Sequence, residues 1–123
     1  MLEFLESAAN VIAIRVGGRI ESADLDSILD RLEPMLERPD KVHVFVETRT
    51  ITGIAVDGLA AYTMRAMPLL GRLNKFGRVA IVADQAWVRW GAKLESAILP
   101  FISYRTFTPD ERDEAYAWVN GAS

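Results

Sequence analysis

Phe76-Gly77-Arg78-Val79-Ala80-Ile81-Val82-Ala83-Asp84-Gln85-Ala86-Trp87 is the stretch from which the fold of this chain is read. Val79 to Ala83 is a short, continuously apolar run, the pattern of a strand buried on both faces. Asp84, immediately after it, is a good helix-capping residue. From Gln85 to about Ile98, Trp87, Trp90, Leu94 and Ile98 recur at helical spacing. A buried strand that passes directly into a helix belongs to a parallel, crossover-connected sheet.

Working upstream, Lys41 to Glu47 reads as another strand, with Val42, Val44 and Val46 on one side. A loop is expected from Thr48 to Val56, then a long helix to about Asn74, loosened in its second half by Pro68. Ser22 is expected to cap an earlier helix. Its core stripe is Leu25, Ile28, Leu29, Leu32 and Leu36, and Pro34 shortens its end. Arg38-Pro39-Asp40 turns the chain. Met1 to Ser7 and Val11 to Val16 read as two strands joined at Ala8-Ala9-Asn10, and Gly17-Gly18 reads as a turn.

Downstream, Ile102 to Phe107 is the last strand. Thr108-Pro109-Asp110-Glu111 combines a capping box with proline at the first helical position. The helix it starts is expected to bury Ala115, Trp118 and Val119. The order is therefore β-β-α-β-α-β-α-β-α. The expected fold is α/β: a single mixed sheet of about five strands with helices packed on it, forming one domain over residues 1–123.

Composition removes several classes of function. The chain has 123 residues, half of them hydrophobic and a quarter charged, so it can build a core and is not a disordered tail. A net charge of −3 argues against dedicated nucleic-acid binding. With no cysteine there is no disulfide framework or thiol chemistry, and with one histidine the usual metal and acid–base sets shrink further. The N-terminus lacks signal-peptide organisation, and Asp57, Arg65, Pro68 and Arg72 interrupt the most hydrophobic long window. The expectation is a soluble, cytoplasmic protein.

The distribution of charge matters more than its sum. Residues 21–47 carry eight acids and three bases, whereas residues 57–93 carry two acids and six bases. That basic middle is also the most apolar part of the chain. Leu59, Thr63, Ala66, Met67 and Leu70 form one helical stripe, and Val56, Ala60, Met64 and Leu73 a second, with Tyr62 and Leu69 on a third side. This girth exceeds the ~100° stripe that one contact surface requires. Trp87 and Trp90, one turn apart on the next helix, are either core residues or the lining of a pocket or membrane-facing surface.

Catalytic motifs are absent. There is no Gly-x-Ser-x-Gly elbow, Walker loop or dinucleotide fingerprint. His43 and Glu47 share a strand side, but four strand residues span about 13 Å, too far for one metal ion. His43 therefore reads as structural or surface. Asp24/Asp26 and Asp110/Glu111 sit at helix starts, where they favour the helix dipole.

Taken together, the chain resembles the SpoIIAA-like family, relatives of the STAS domains. The resemblance runs from Phe76 through Trp87 and Trp90, then Phe107, and closes in Glu114-Ala115-Tyr116-Ala117-Trp118. It implies a small α/β domain that binds apolar ligands and associates loosely with membranes through helices beside the sheet. Antagonists of anti-sigma factors in the wider STAS group carry an Asp-Ser-Ser-Gly-Leu-like motif with a phosphorylated serine after the third strand. Thr50-Ile51-Thr52-Gly53-Ile54 stands in that place here. Ile51, at the phosphoacceptor position, has no hydroxyl, so Thr50 or Thr52 would serve only if the register slips by one.

The resulting expectation is a non-enzymatic binding module without cofactor or metal. Leu59, Tyr62, Thr63, Met67, Trp87, Trp90 and Leu94 would line its apolar or lipid-like site. Arg65, Arg72 and Arg89 would meet an anionic headgroup or the inner membrane surface. The alternative is a regulatory protein-interaction module of the STAS type without the usual phosphoserine. Homodimerisation through the apolar face is compatible with either.

Overall fold

The structure, a computed structural model, describes residues 2–54, 64, 67–83 and 103–121. Strands β1 (Leu2–Phe4), β2 (Val11–Ile20), β3 (Val42–Ile54), β4 (Phe76–Val82) and β5 (Ser103–Phe107) form one sheet in sequential order. β1 is antiparallel to β2, and every later pairing is parallel. Helix α1 (Ser22–Leu36) connects β2 to β3, and helix α2 (Arg112–Asn120) closes the described chain.

The two-residue period of the strands sorts side chains onto opposite faces. Ile12, Ile14, Val16 and Val42 are buried on one face with Leu32 and Leu36 of α1. Val11, Ala13, Phe45, Ala80, Val82 and Phe107 are buried on the other with Ala115 and Val119 of α2. The sheet is therefore the middle layer of the described fold. Phe45 and Tyr116 meet edge to face, with ring centroids 5.3 Å apart, and fix the height of α2 above the sheet.

Several boundaries differ from the sequence reading, each for a physical reason. The expected loop at Thr48 is strand: β3 continues to Ile54 by pairing with the end of β2, Val16 opposite Thr48 and Ile20 opposite Ile54. Gly17-Gly18 is not a turn but part of β2. Gly18, at φ +63°, takes the left-handed conformation that a glycine adopts without a Cβ clash, and the register shifts around it. Glu21, not Ser22, caps α1, in a reciprocal box in which the Asp24 carboxylate accepts the Glu21 N–H at 2.9 Å. Met67–Lys75, expected as the end of a long α-helix, is a 3₁₀ stretch. Pro68 has no N–H to continue an α ladder there. Trp118 is half-buried rather than buried, because Arg78 and Arg105 lie against its ring at the margin of the core.

The start of α2 is as expected. Thr108 donates its N–H to the Glu111 carboxylate at 2.9 Å, and its hydroxyl meets the same oxygen at 3.1 Å. These bonds hold the Glu111 carboxyl below its ordinary pKa. Pro109 opens the short 3₁₀ turn that leads into the helix. Replacing Thr108 with alanine is expected to lower stability by about 1 kcal/mol. Urea unfolding measures it, and an unchanged midpoint would show that the cap contributes nothing.

Candidate functional site

On the α2 face, three neighbouring strands place charges side by side. Glu3 of β1 stands opposite Arg15 of β2, and Arg15 opposite Glu47 of β3. The alternation of sign makes each cross-strand pair favourable. Arg15 reaches both acids, Glu3 at 3.0 Å and Glu47 at 3.3 Å. Arg112, the first residue of α2, adds a bond from its Nε to Glu47 Oε1 at 2.9 Å. Arg49 closes the other side, its Nε 3.2 Å and its terminal nitrogen 3.1 Å from Glu47 Oε2.

Glu47 is thus a buried carboxylate, its side chain 8% exposed, with both oxygens engaged by guanidinium groups. Burial by itself would raise its pKa; the hydrogen bonds from Arg112 and Arg15 outweigh that and hold it below the ordinary value. The arrangement also answers a local problem in α2. A cation in a helix's first turn is disfavoured by the helix dipole, and the carboxylate under Arg112 offsets it. The Arg112 guanidinium lies 5.6 Å from the Phe45 ring centroid and 5.1 Å from that of Tyr116. An anion held this firmly is a poor proton acceptor near neutrality, so the cluster is a clamp between α2 and the sheet.

His43 lies on the same face of β3 and is 3% exposed. Its Nδ1 accepts the Arg78 N–H at 2.8 Å. The structural side of the sequence reading stands. Among the described residues no group of three His, Cys, Asp or Glu could hold a metal ion. No helix among them is long and apolar enough to cross a membrane.

A third feature is an open groove of about 1050 Å³ at the end of the sheet where β2 begins. Leu5, Val11 and Met35 give it an apolar floor, and Arg31, Arg38 and Tyr116 stand on its walls. The hairpin loop beside it is already tied down. Asn120 Oδ1 accepts the Ala8 N–H at 2.8 Å, and the Tyr116 hydroxyl donates to the Glu6 carbonyl.

The residues expected to bind a ligand are placed as follows. Met67 is 57% exposed at the start of the 3₁₀ stretch, and Met64 is 77% exposed. Leu59, Tyr62, Thr63, Trp87, Trp90 and Leu94 lie outside the described residues, as do Arg65 and Arg89. Of Arg72 and Thr52 only the backbone is described, Arg72 in the 3₁₀ stretch and Thr52 in β3. Thr50 is exposed on β3. The Glu47 clamp was missed from sequence. Its only signal was a lone acid on the side of a strand opposite the valines, which names no partner.

Comparison with known proteins gives a consistent result. A family model described as SpoIIAA-like matches residues 11–120. Among solved structures, the chain is similar to an uncharacterized protein of the DUF3478 family with a SpoIIAA-like fold from Shewanella loihica PV-4. The TM-score is 0.65 at 18% identity, over 97% of this chain and 92% of that one. The curated proteins give no match.

Proposed function

We propose that this chain, which belongs to the SpoIIAA-like family, is a non-enzymatic module that binds an apolar or lipid-like ligand and touches an anionic membrane surface. The observation that carries this reading is the exposure of Met64 and Met67, at 77% and 57%, within the basic middle of the sequence. Exposed methionines adapt to flexible apolar partners, and neighbouring cations favour anionic lipid. Leu59, Tyr62, Thr63, Trp87, Trp90 and Leu94 remain the proposed lining. Arg65, Arg72 and Arg89 remain the proposed headgroup contacts. The absence of catalysis is supported by the chemistry of the described sheet: Glu47 is held ionised by arginines, and the Nδ1 of His43 is occupied by a backbone N–H.

Flotation with vesicles containing anionic phospholipid tests the reading, alongside native mass spectrometry of gently purified protein. Binding is expected at low salt and should weaken as the Debye length shrinks from about 30 Å at 0.01 M to about 8 Å at 0.15 M. M64D/M67D is expected to reduce vesicle binding about tenfold or more, because each change puts a charge where apolar contact is required. No co-purified lipid and no flotation at low salt would sink the proposal.

The second reading is a regulatory protein-interaction module of the STAS type, and the exposed hydroxyl-bearing Thr50 next to Arg49 favours it. A stoichiometric protein partner insensitive to lipid, or a phosphate mass shift at Thr50 or Thr52, would select that reading. Homodimerisation fits both and is measured by light scattering at high micromolar concentration.

A further inference from the structure

The pairing of β3 with β4 contains an irregularity that the histidine fills. Val42 stands opposite Phe76 and Val44 opposite Val79, so the single residue His43 faces two residues, Gly77 and Arg78. Such a bulge leaves backbone groups without their regular ladder partners. Here the Arg78 N–H is satisfied by a side chain: it donates to His43 Nδ1 at 2.8 Å. Gly77 makes the fit possible, since a Cβ there would lie on the imidazole, 2.5 Å from Nδ1. The Arg78 side chain then reaches the end of α2, donating to the Trp118 carbonyl at 2.7 Å, with its guanidinium 5.1 Å from the Trp118 ring centroid.

This bond is possible only for a neutral imidazole. With Nδ1 accepting, the proton of the neutral ring sits on Nε2, which is buried and has no partner among the described residues. A second proton has one place to go, Nδ1, where it would point at the Arg78 N–H. The surroundings offer it no compensation. Arg78 of β4 and Lys41, just ahead of β3, are the charges that bear on the ring, and both are positive. β2 contributes uncharged Val11 as the paired residue. The α2 side chains packed on this face are Ala115, Tyr116, Trp118 and Val119, with Arg112 held by Glu47, and none of them is an acid. Glu47, the acid on the same strand side, is taken up by three arginines.

We propose that His43, Gly77 and the Arg78 N–H form an acid-released clip. The neutral ring holds the start of β4 and, through Arg78, the last turn of α2. Protonation breaks that hold and opens this end of the sheet, while the Glu47 clamp keeps the start of α2 in place. Burial, with Arg78 and Lys41 nearby, pushes the folded imidazole below its ordinary pKa. The open form therefore takes up the proton first. Opening should grow about tenfold per pH unit below 6.5, until the folded ring itself titrates.

The chain's only histidine makes the experiment direct, because a single imidazole resonance reports the titration. Amide exchange of the 123-residue chain is followed between pH 7.5 and 5.5 and corrected for the intrinsic rate. Protection of Arg78 and of Trp118 to Asn120 is expected to fall about tenfold across that interval, while Phe45 and Val46 change little. H43N keeps an acceptor but cannot titrate, so its protection should not depend on pH. Equal Arg78 protection at both pH values in the wild type would overturn the proposal, as would the same pH dependence in H43N. If H43N does not fold, the wild-type imidazole titration decides alone. A midpoint at or above 6.5, with no accompanying change at Arg78, also overturns it.

Discussion

Replacing Glu47 with alanine is expected to destabilise the protein by about 3 kcal/mol, the largest effect of any single surface-adjacent charge in the described fold. The size follows from what remains behind. Arg15 and Arg112, with side chains 23% and 31% exposed, would face each other near the sheet without the carboxylate between them. Removing one member of a buried charge cluster costs more than the cluster's net contribution, because the survivors stay partly desolvated. The partial exposure of both arginines places the loss at the lower end of the usual range. The outer acids are the internal control. Glu3 and Asp113 are 52% and 96% exposed, and removing either should cost less than about 1 kcal/mol. Urea unfolding of the three variants measures the contrast. Equal small losses at all three sites would show that Glu47 is not the anchor.

The same carboxylate carries a pH signature. Its folded pKa lies below its ordinary value, so its contribution is fully present above the ordinary carboxylate range. It is lost only as pH falls through the depressed folded value. That window lies below the one assigned to His43, whose contribution begins to fade under about pH 6.5. The two processes therefore separate on one pH axis.

Gly77→Ala is the second large change, with an expected loss of about 3 kcal/mol from overpacking and a broken buried hydrogen bond. The added methyl would land on the His43 ring, which is 3% exposed and fixed by the Arg78 N–H. For a chain of this size the melting temperature should fall by roughly 10 °C. A double-mutant cycle isolates the cause. With His43 already alanine, the ring is gone, and adding alanine at position 77 should cost far less than it does in the wild type. If the two losses simply add, the strain lies elsewhere. Gly121 makes a useful contrast, since a Cβ there meets only the Ala117 carbonyl at 3.0 Å near the exposed end of α2.

How much of this was legible beforehand depended on the range of the interaction. Thr108, Pro109 and Glu111 are neighbours, so their box is written in four consecutive letters, and the structure has it. The apolar stripe of α1 was equally plain, with Leu29, Leu32 and Leu36 buried as the helical period requires. The end of β3 was misread because Thr48 to Ile54 is held by Val16 to Ile20, far away in the chain. Local composition there, with Thr and Gly, is ambiguous between strand and loop. Trp118 was expected inside, together with Ala115 and Val119 of the same helix. Two arginines from β4 and β5 give it an edge position instead.

The candidate sites divide in the same way. Exposed Met67 was named from the excess girth of an apolar helix, a property of sequence alone. The Glu47 clamp could not be named, since Arg15 and Arg112 lie 32 and 65 residues from it. The clip could not be named either, because a histidine and a glycine 34 positions apart become partners only once β3 and β4 slip by one residue.

The sequence by itself determined the succession of five strands with helices after β2 and β5, the capping of the last helix and a single mixed sheet with helices packed on it. Each of these follows from residue periods of two and 3.6 and from contacts within one turn. Only the tertiary structure decided that Glu47 is clamped by arginines and that His43 sits in a bulge against Gly77. Those arrangements depend on strand register, and register is set by the packing of the whole sheet rather than by any local run of residues.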